Sequence, residues 1–231
     1  MPSLARRLLA EFLGTGVLTA IVVGSGIAAS RLSTHDVGLQ LAETAAATAL
    51  GLFVLIAVFS PISGAHLNPV ISLIDGVLGT RPWSDALAYI PTQVVGCVMG
   101  AITANLMFGT GAVSISSHAR LTPAHFLGEV VATAGLVLIV FVLTRTGRGR
   151  LAPACVGAYI GAAYFFTSST SFANPAITIA RTFTDSFAGI SPASVAGFVA
   201  AQLIGGAIGL LLVRILTPTR KAPPEDRPAR R

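Results

Sequence analysis

Acidic side chains are scarce in this sequence. Nine Asp and Glu stand among 231 residues, and charged residues of every kind make up 10%. A soluble domain carries about 25% charge, so this chain cannot cover a water-facing exterior, and lipid is its expected solvent. A hydrophobic fraction of 53% and a positive mean hydropathy agree. Cysteine is nearly missing. Cys97 and Cys155 lie inside apolar runs, with no CxxC and no His or Asp at ligand spacing. They read as small buried hydrophobes, not as a disulfide or a metal site. Also missing are a nucleophile–base pair, a metal cluster and a phosphate loop, so no catalytic chemistry and no cofactor are expected. The net charge of +6 does not point to nucleic acid, because the basic residues gather at the ends of apolar runs and in the tail, without interleaved aromatics.

A spanning helix needs about 20 mostly apolar residues. Six runs qualify, near 5–29, 39–60, 84–108, 124–144, 151–168 and 192–216. The first of them, with Arg6-Arg7 ahead of it and AAS at 28–30, imitates a signal peptide. Glu11 interrupts it and its length suffices to span, so it is read as a transmembrane helix. Between the second and third runs lies GAHLNPVIS (64–72), and between the fifth and sixth lies SFANPAITIAR (171–181). Each Asn-Pro is followed by about ten helix-compatible residues, 68–78 and 174–184. At about 1.5 Å per residue these reach half a bilayer.

The two halves repeat. LAEFLGT (9–15) matches LGEVVAT (127–133), Asn68-Pro69 matches Asn174-Pro175, and Gln93, Gly96 and Gly100 match Gln202, Gly205 and Gly209. Three spans per half is odd, so the second half is inverted, and broken helices in matched positions point to a central solute pathway. The expected fold is an all-α membrane protein of six transmembrane helices plus two half-membrane re-entrant helices. Residues 1–110 form the first half, 111–123 a connecting loop, 124–216 the second half and 217–231 a flexible cytoplasmic tail. With the N-terminus inside, 12 of the 15 basic residues fall on the cytoplasmic side, and only Arg31, Arg120 and Arg181 fall outside. This positive-inside bias places both termini in the cytoplasm and the protein, multi-pass, in the cell (inner) membrane.

Asn caps free backbone N–H groups, and Pro suits the first helical position because its missing N–H would be unpaired there. Two half-helices meeting at mid-membrane bring positive dipole ends together. That field opposes cations and protons while Asn amides serve neutral hydrogen-bonding solutes. The polar, small segments before each motif (Gly64, Ala65, His66; Thr170, Ser171, Phe172) can present carbonyls to a pore. His66 is either a titrating gate or a packed pore-lining side chain. Glu11 and Glu129 sit in apolar spans, where an unpaired carboxylate is costly. One reading gives them proton coupling in a secondary transporter, and the other has them anchor the N–H groups of buried irregular loops. The glycine pairs serve close helix packing.

Six spans, inverted halves and AEF…HLNPV…SFANPA together resemble the major intrinsic proteins, the aquaporins and glycerol facilitators, over about 5–216. The resemblance implies half-helices abutting through Asn68, Pro69, Val70 and Asn174, Pro175, Ala176, with homotetramers in which each subunit has its own pore. It also implies an outer filter at Thr48, Ala162, Ser171 and Ile177, the last standing where the family normally has Arg. Val70 replaces the usual Ala. The run Asn174 to Ile190, NPAITIARTFTD onward, is similar to a bacterial subgroup tied to arsenic resistance that conducts neutral As(OH)3. These departures imply a wide filter passing arsenite, glycerol or other polyols, and water. Arg181, seven residues after Asn174 on the same helix face, is either a vestibule cation one turn outward or the surface partner of Asp185. Asp75 holds the equivalent place after Asn68. The expected partners are small uncharged solutes and the lipid bilayer.

Overall fold

The computed structural model describes residues 2–217, so the tail expected beyond Thr217 lies outside the described residues. Within them the chain is helical: α1 Leu4–Leu32, α2 Val37–Ser63, α3 Pro69–Leu78, α4 Trp83–Met107, α5 Pro123–Arg145, α6 Ala152–Phe166, α7 Pro175–Ala180 and α8 Pro192–Leu216. Five of these are long and apolar enough to cross a membrane. The sixth expected span is shorter. α6 has 15 residues, extended at its start by a 3₁₀ turn over Gly149–Leu151. It stops at Phe166 because Thr167 is extended, and the Ser/Thr run 167–171 offers the backbone competing local bonds.

Both half-helices begin as the sequence predicts. Asn68 and Asn174 are extended, and their side chains accept from Val70 N, and from Ala176 N and Ile177 N, with proline at the first helical position. The second half-helix is shorter than the expected 174–184, giving way at Arg181 to a 3₁₀ turn over Arg181–Phe183. The β-branched and aromatic run Thr182-Phe183-Thr184 favours extended backbone, and Thr184 adopts it.

Each half is built on one close helix pair. A Cβ on Gly100 would lie 2.1 Å from the Gly16 carbonyl oxygen, and one on Gly96 2.5 Å from that of Phe12. In the second half, Gly205 and Gly209 approach the carbonyls of Val130 and Ala134 in the same way. Only hydrogen at these positions lets α4 seat on α1, and α8 on α5. The outward surface carries large exposed apolar side chains such as Leu9, Leu13, Phe53, Leu127 and Ile208, which suits lipid. Cys97 is buried and Cys155 half-buried, and both are free.

The connecting loop is not loose. Ser114 and Ser116 donate backbone N–H bonds to Phe183 and Thr182, Ser191 donates to the His118 carbonyl, and Asn105 ties Ala112 to Phe183. It lies as a strap over the end of α7.

Candidate functional site

The two half-helices meet through their caps. Asn68 Nδ2 donates to the Ala173 carbonyl and Asn174 Nδ2 to the Leu67 carbonyl, each at 2.7 Å. One amide hydrogen of each Asn is thereby spent across the junction. Both residues line a cavity of about 330 Å³, so the second hydrogen is available to a solute. Pro69, Pro175 and Ala176 are buried behind them. Val70 packs toward α8, where a Cβ on Gly206 would come within 2.6 Å of its Cγ1. The unusual Val is accommodated by a glycine opposite.

The segments before the caps are held by buried carboxylates. Glu11 accepts from His66 N, Leu67 N, Ser63 Oγ and Gln93 Nε2 at 2.6–3.0 Å. Glu129 accepts from Phe172 N, Ala173 N and Gln202 Nε2 at 2.6–2.9 Å. No Lys or Arg contacts either carboxylate among the described salt bridges. Ala65 and Leu67 have positive φ, as do Ser171 and Ala173, each pair related by the 106-residue offset that relates the Asn residues. Non-glycine residues pay roughly 1–2 kcal/mol to sit there, and the N–H bonds to the carboxylates compensate. Peptide bonds here are trans, so an N–H aimed at Glu11 turns the preceding carbonyl away from it. The carbonyls of Ala65 and His66, and those of Ser171 and Phe172, accordingly face away from the carboxylates. Gly64, Ala65, His66, Leu67, Ser171, Phe172 and Ala173 all line the cavity. Thr170, also expected as a pore-lining carbonyl, lines instead a smaller pocket beyond Tyr164.

The cavity is also lined by apolar side chains, among them Val22, Leu52, Ile56, Leu136, Val140, Ile160 and Ile177. At the α3 end, His66 is clamped between Ser72 Oγ and Asp75 Oδ2, both at 3.0 Å, with its edge against Tyr89. Asp75 also binds Thr80 and Arg81, and Asp85 binds Arg7. His66 is thus packed, and both it and Asp75 line the cavity.

Around Thr48 the structure departs from the sequence reading. Thr48, Ser171 and Ile177 line the cavity, whereas Ala162 is exposed on the outside of α6. The inward residue is Tyr164, whose hydroxyl lies 3.0 Å from Thr48 Oγ1. Residues 152, 156, 160 and 164 face the cavity at a spacing of four, and a residue two positions away points to the opposite side. Counting back from Asn174 missed Tyr164 because that count presumes a fixed loop length. The i, i+4 series Val156, Ile160, Tyr164 was the available signal. Arg181 also lines the cavity. Its Nε donates to the Ala188 carbonyl and its guanidinium lies 3.5 Å from the centre of the Phe172 ring. The pairing with Asp185 is not formed, since Asp185 accepts instead from Ser117 N and Oγ and lies 3.6 Å from His118.

The major intrinsic protein family profile matches residues 1–173. The aquaglyceroporin AqpS of Rhizobium meliloti (strain 1021) is 45% identical over 94% of this chain and 93% of its own length. The chain belongs to the major intrinsic protein family. Probable aquaporin NIP7-1 of Arabidopsis thaliana is 31% identical, covering 94% of this chain and 79% of the relative. The X-ray structure of the aquaglyceroporin from Plasmodium falciparum superposes with a TM-score of 0.74 at 22% identity, covering 94% and 98% of the two chains, which shows the shared fold. As a family member, the chain is a membrane-embedded passive channel for small neutral solutes, not an enzyme.

Proposed function

We propose that this channel conducts polyol-like neutral hydroxides, glycerol and As(OH)3 among them, with water as a further permeant. The observation that carries the reading is the mixed lining of the cavity, where the loop segments 64–68 and 171–174 with their Asn amides stand alongside apolar side chains such as Val22, Leu52, Leu136 and Ile160. A solute with several hydroxyls on a small body can exchange its water for the polar groups while its remaining surface meets the apolar side chains. The Thr48 and Tyr164 hydroxyls, 3.0 Å apart, add groups that can donate or accept. The resemblance of NPAITIARTFTD to the arsenic-associated subgroup supports As(OH)3 in particular. Proton coupling through Glu11 or Glu129 draws no support from their surroundings, because both carboxylates are spent on loop N–H groups and amides. The working assembly is a homotetramer in the inner membrane with both termini cytoplasmic.

Stopped-flow measurements on proteoliposomes with water, glycerol and arsenite test the reading. Glycerol and arsenite permeabilities well above protein-free vesicles, unaffected by an imposed proton gradient, are expected. Arsenite flux equal to protein-free vesicles would remove the metalloid reading, and gradient-driven accumulation would replace the channel with a transporter.

A further inference from the structure

The loop that joins the two halves carries a second guanidinium to the outer mouth. Arg120 donates from Nε to the Gly189 carbonyl at 2.6 Å and from Nη2 to the Phe187 carbonyl at 2.7 Å, while its backbone N–H binds Ser194 Oγ. Its guanidinium carbon lies 5.6 Å from the Phe172 ring centre, and that of Arg181 lies 3.5 Å from the same centre. The two charges are no further apart than the sum of those distances, about 9 Å. A small pocket on the outer side of Tyr164 is lined by both arginines together with Thr44, Thr170 and Ala188. Tyr164 and Arg181 also border the main cavity, so the pocket adjoins it.

Neither arginine has a carboxylate within ion-pair distance among the described residues, where the salt bridges involve Arg7, His66, Arg81 and His118 instead. Two neighbouring like charges without counter-ions oppose folding. Here carbonyls of 187–189 and the face of Phe172 hold them in place. With Ile177 at the position where the family resemblance expects a filter arginine, the positive charge is displaced outward.

We propose that Arg120 is a specificity-determining residue of the pore, a second cation that acts with Arg181 to exclude metal cations and protons at the outer mouth. The proposal rests on the pore reading of the site. A cation entering the pocket meets both charges before it reaches the Asn pair, while a neutral solute meets only additional N–H donors.

The test is potassium and proton leak, normalised to glycerol flux, in proteoliposomes carrying wild type, Arg120→Lys or Arg120→Gln. Lys keeps the charge. Gln keeps an N–H donor for the carbonyls but loses the charge. Arg120→Gln should raise the normalised cation leak roughly ten- to twentyfold, the size expected for removing a unit charge about 10 Å from the passing cation at an effective dielectric of about 20. Arg120→Lys should leave the leak near wild type. No rise in Arg120→Gln overturns the proposal, and so does an equal rise in both variants, which would make the residue a brace for the loop. Wild-type vesicles without glycerol flux would instead refute the pore reading, and that control keeps the two failures apart.

Discussion

Ile177 stands three residues after Asn174, buried in the cavity wall, where the family resemblance expects a guanidinium. Placing one there should both narrow the passage and add donors that compete for solute hydroxyls. Ile177→Arg is expected to lower glycerol and arsenite permeability about tenfold, equivalent to ~1.4 kcal/mol of added barrier, and to lower water permeability less. Stopped-flow ratios report this, and a larger loss for water than for glycerol would contradict the placement of Ile177 in the filter. The residue scale is also where the sequence reading was least complete. Asn68 and Asn174 were legible because Asn-Pro has a local physical meaning. Tyr164 was not, since the inward face of α6 depends on where the helix stops and how the following loop is folded. Arg181 was legible as one of two alternatives, and only the packing of Phe172 and Ala188 around it chose between them.

At the scale of elements, the two half-helices are held by different means. α7 is covered by the strap of the connecting loop, whereas α3 seats its Val70 into the space left by Gly206 on α8. Val70→Ala should cost about 1–2 kcal/mol through the cavity it leaves. Gly206→Ala alone should be destabilising by overpacking, because the added Cβ meets the Val70 Cγ1 at 2.6 Å and a β-branched side chain has few rotamers to escape into. The double variant should recover part of both losses, a coupling that thermal unfolding in detergent would read as a non-additive cycle. Additive losses would mean the two residues do not share a space. Neither partner reads as coupled in the sequence, since 136 positions separate 70 from 206. Gln93 and Gln202 were visible as repeated letters, yet their role in binding the two carboxylates emerged only when α4 and α8 were placed beside α1 and α5.

For the whole molecule, the inverted repeat and the 12-to-3 distribution of basic residues together fix how the chain should sit in a bilayer. Thr34, between α1 and α2, belongs outside, and Thr146, after α5, inside. In a Cys155→Ala background, Thr34→Cys should react with a membrane-impermeant maleimide on intact cells, while Thr146→Cys should react only after permeabilisation. The opposite pattern would invert the orientation and exchange the vestibules of Asp75 and Arg181. The buried Cys97 should stay silent in both.

What the sequence by itself determined is whatever depends on composition, length and local bonding. Lipid as solvent, six apolar runs, two matched helix starts and a sidedness written in Arg and Lys are properties of neighbouring residues along the chain. The tertiary structure decided everything that depends on two distant segments sharing a place. It turned Glu11 and Glu129 from open alternatives into anchors of opposite loops, exchanged Ala162 for Tyr164 in the cavity lining, and brought Arg120 within reach of Arg181. The physical reason is the same each time. A buried polar group is defined by its partner, and here the partners lie from about 40 to more than 80 residues away.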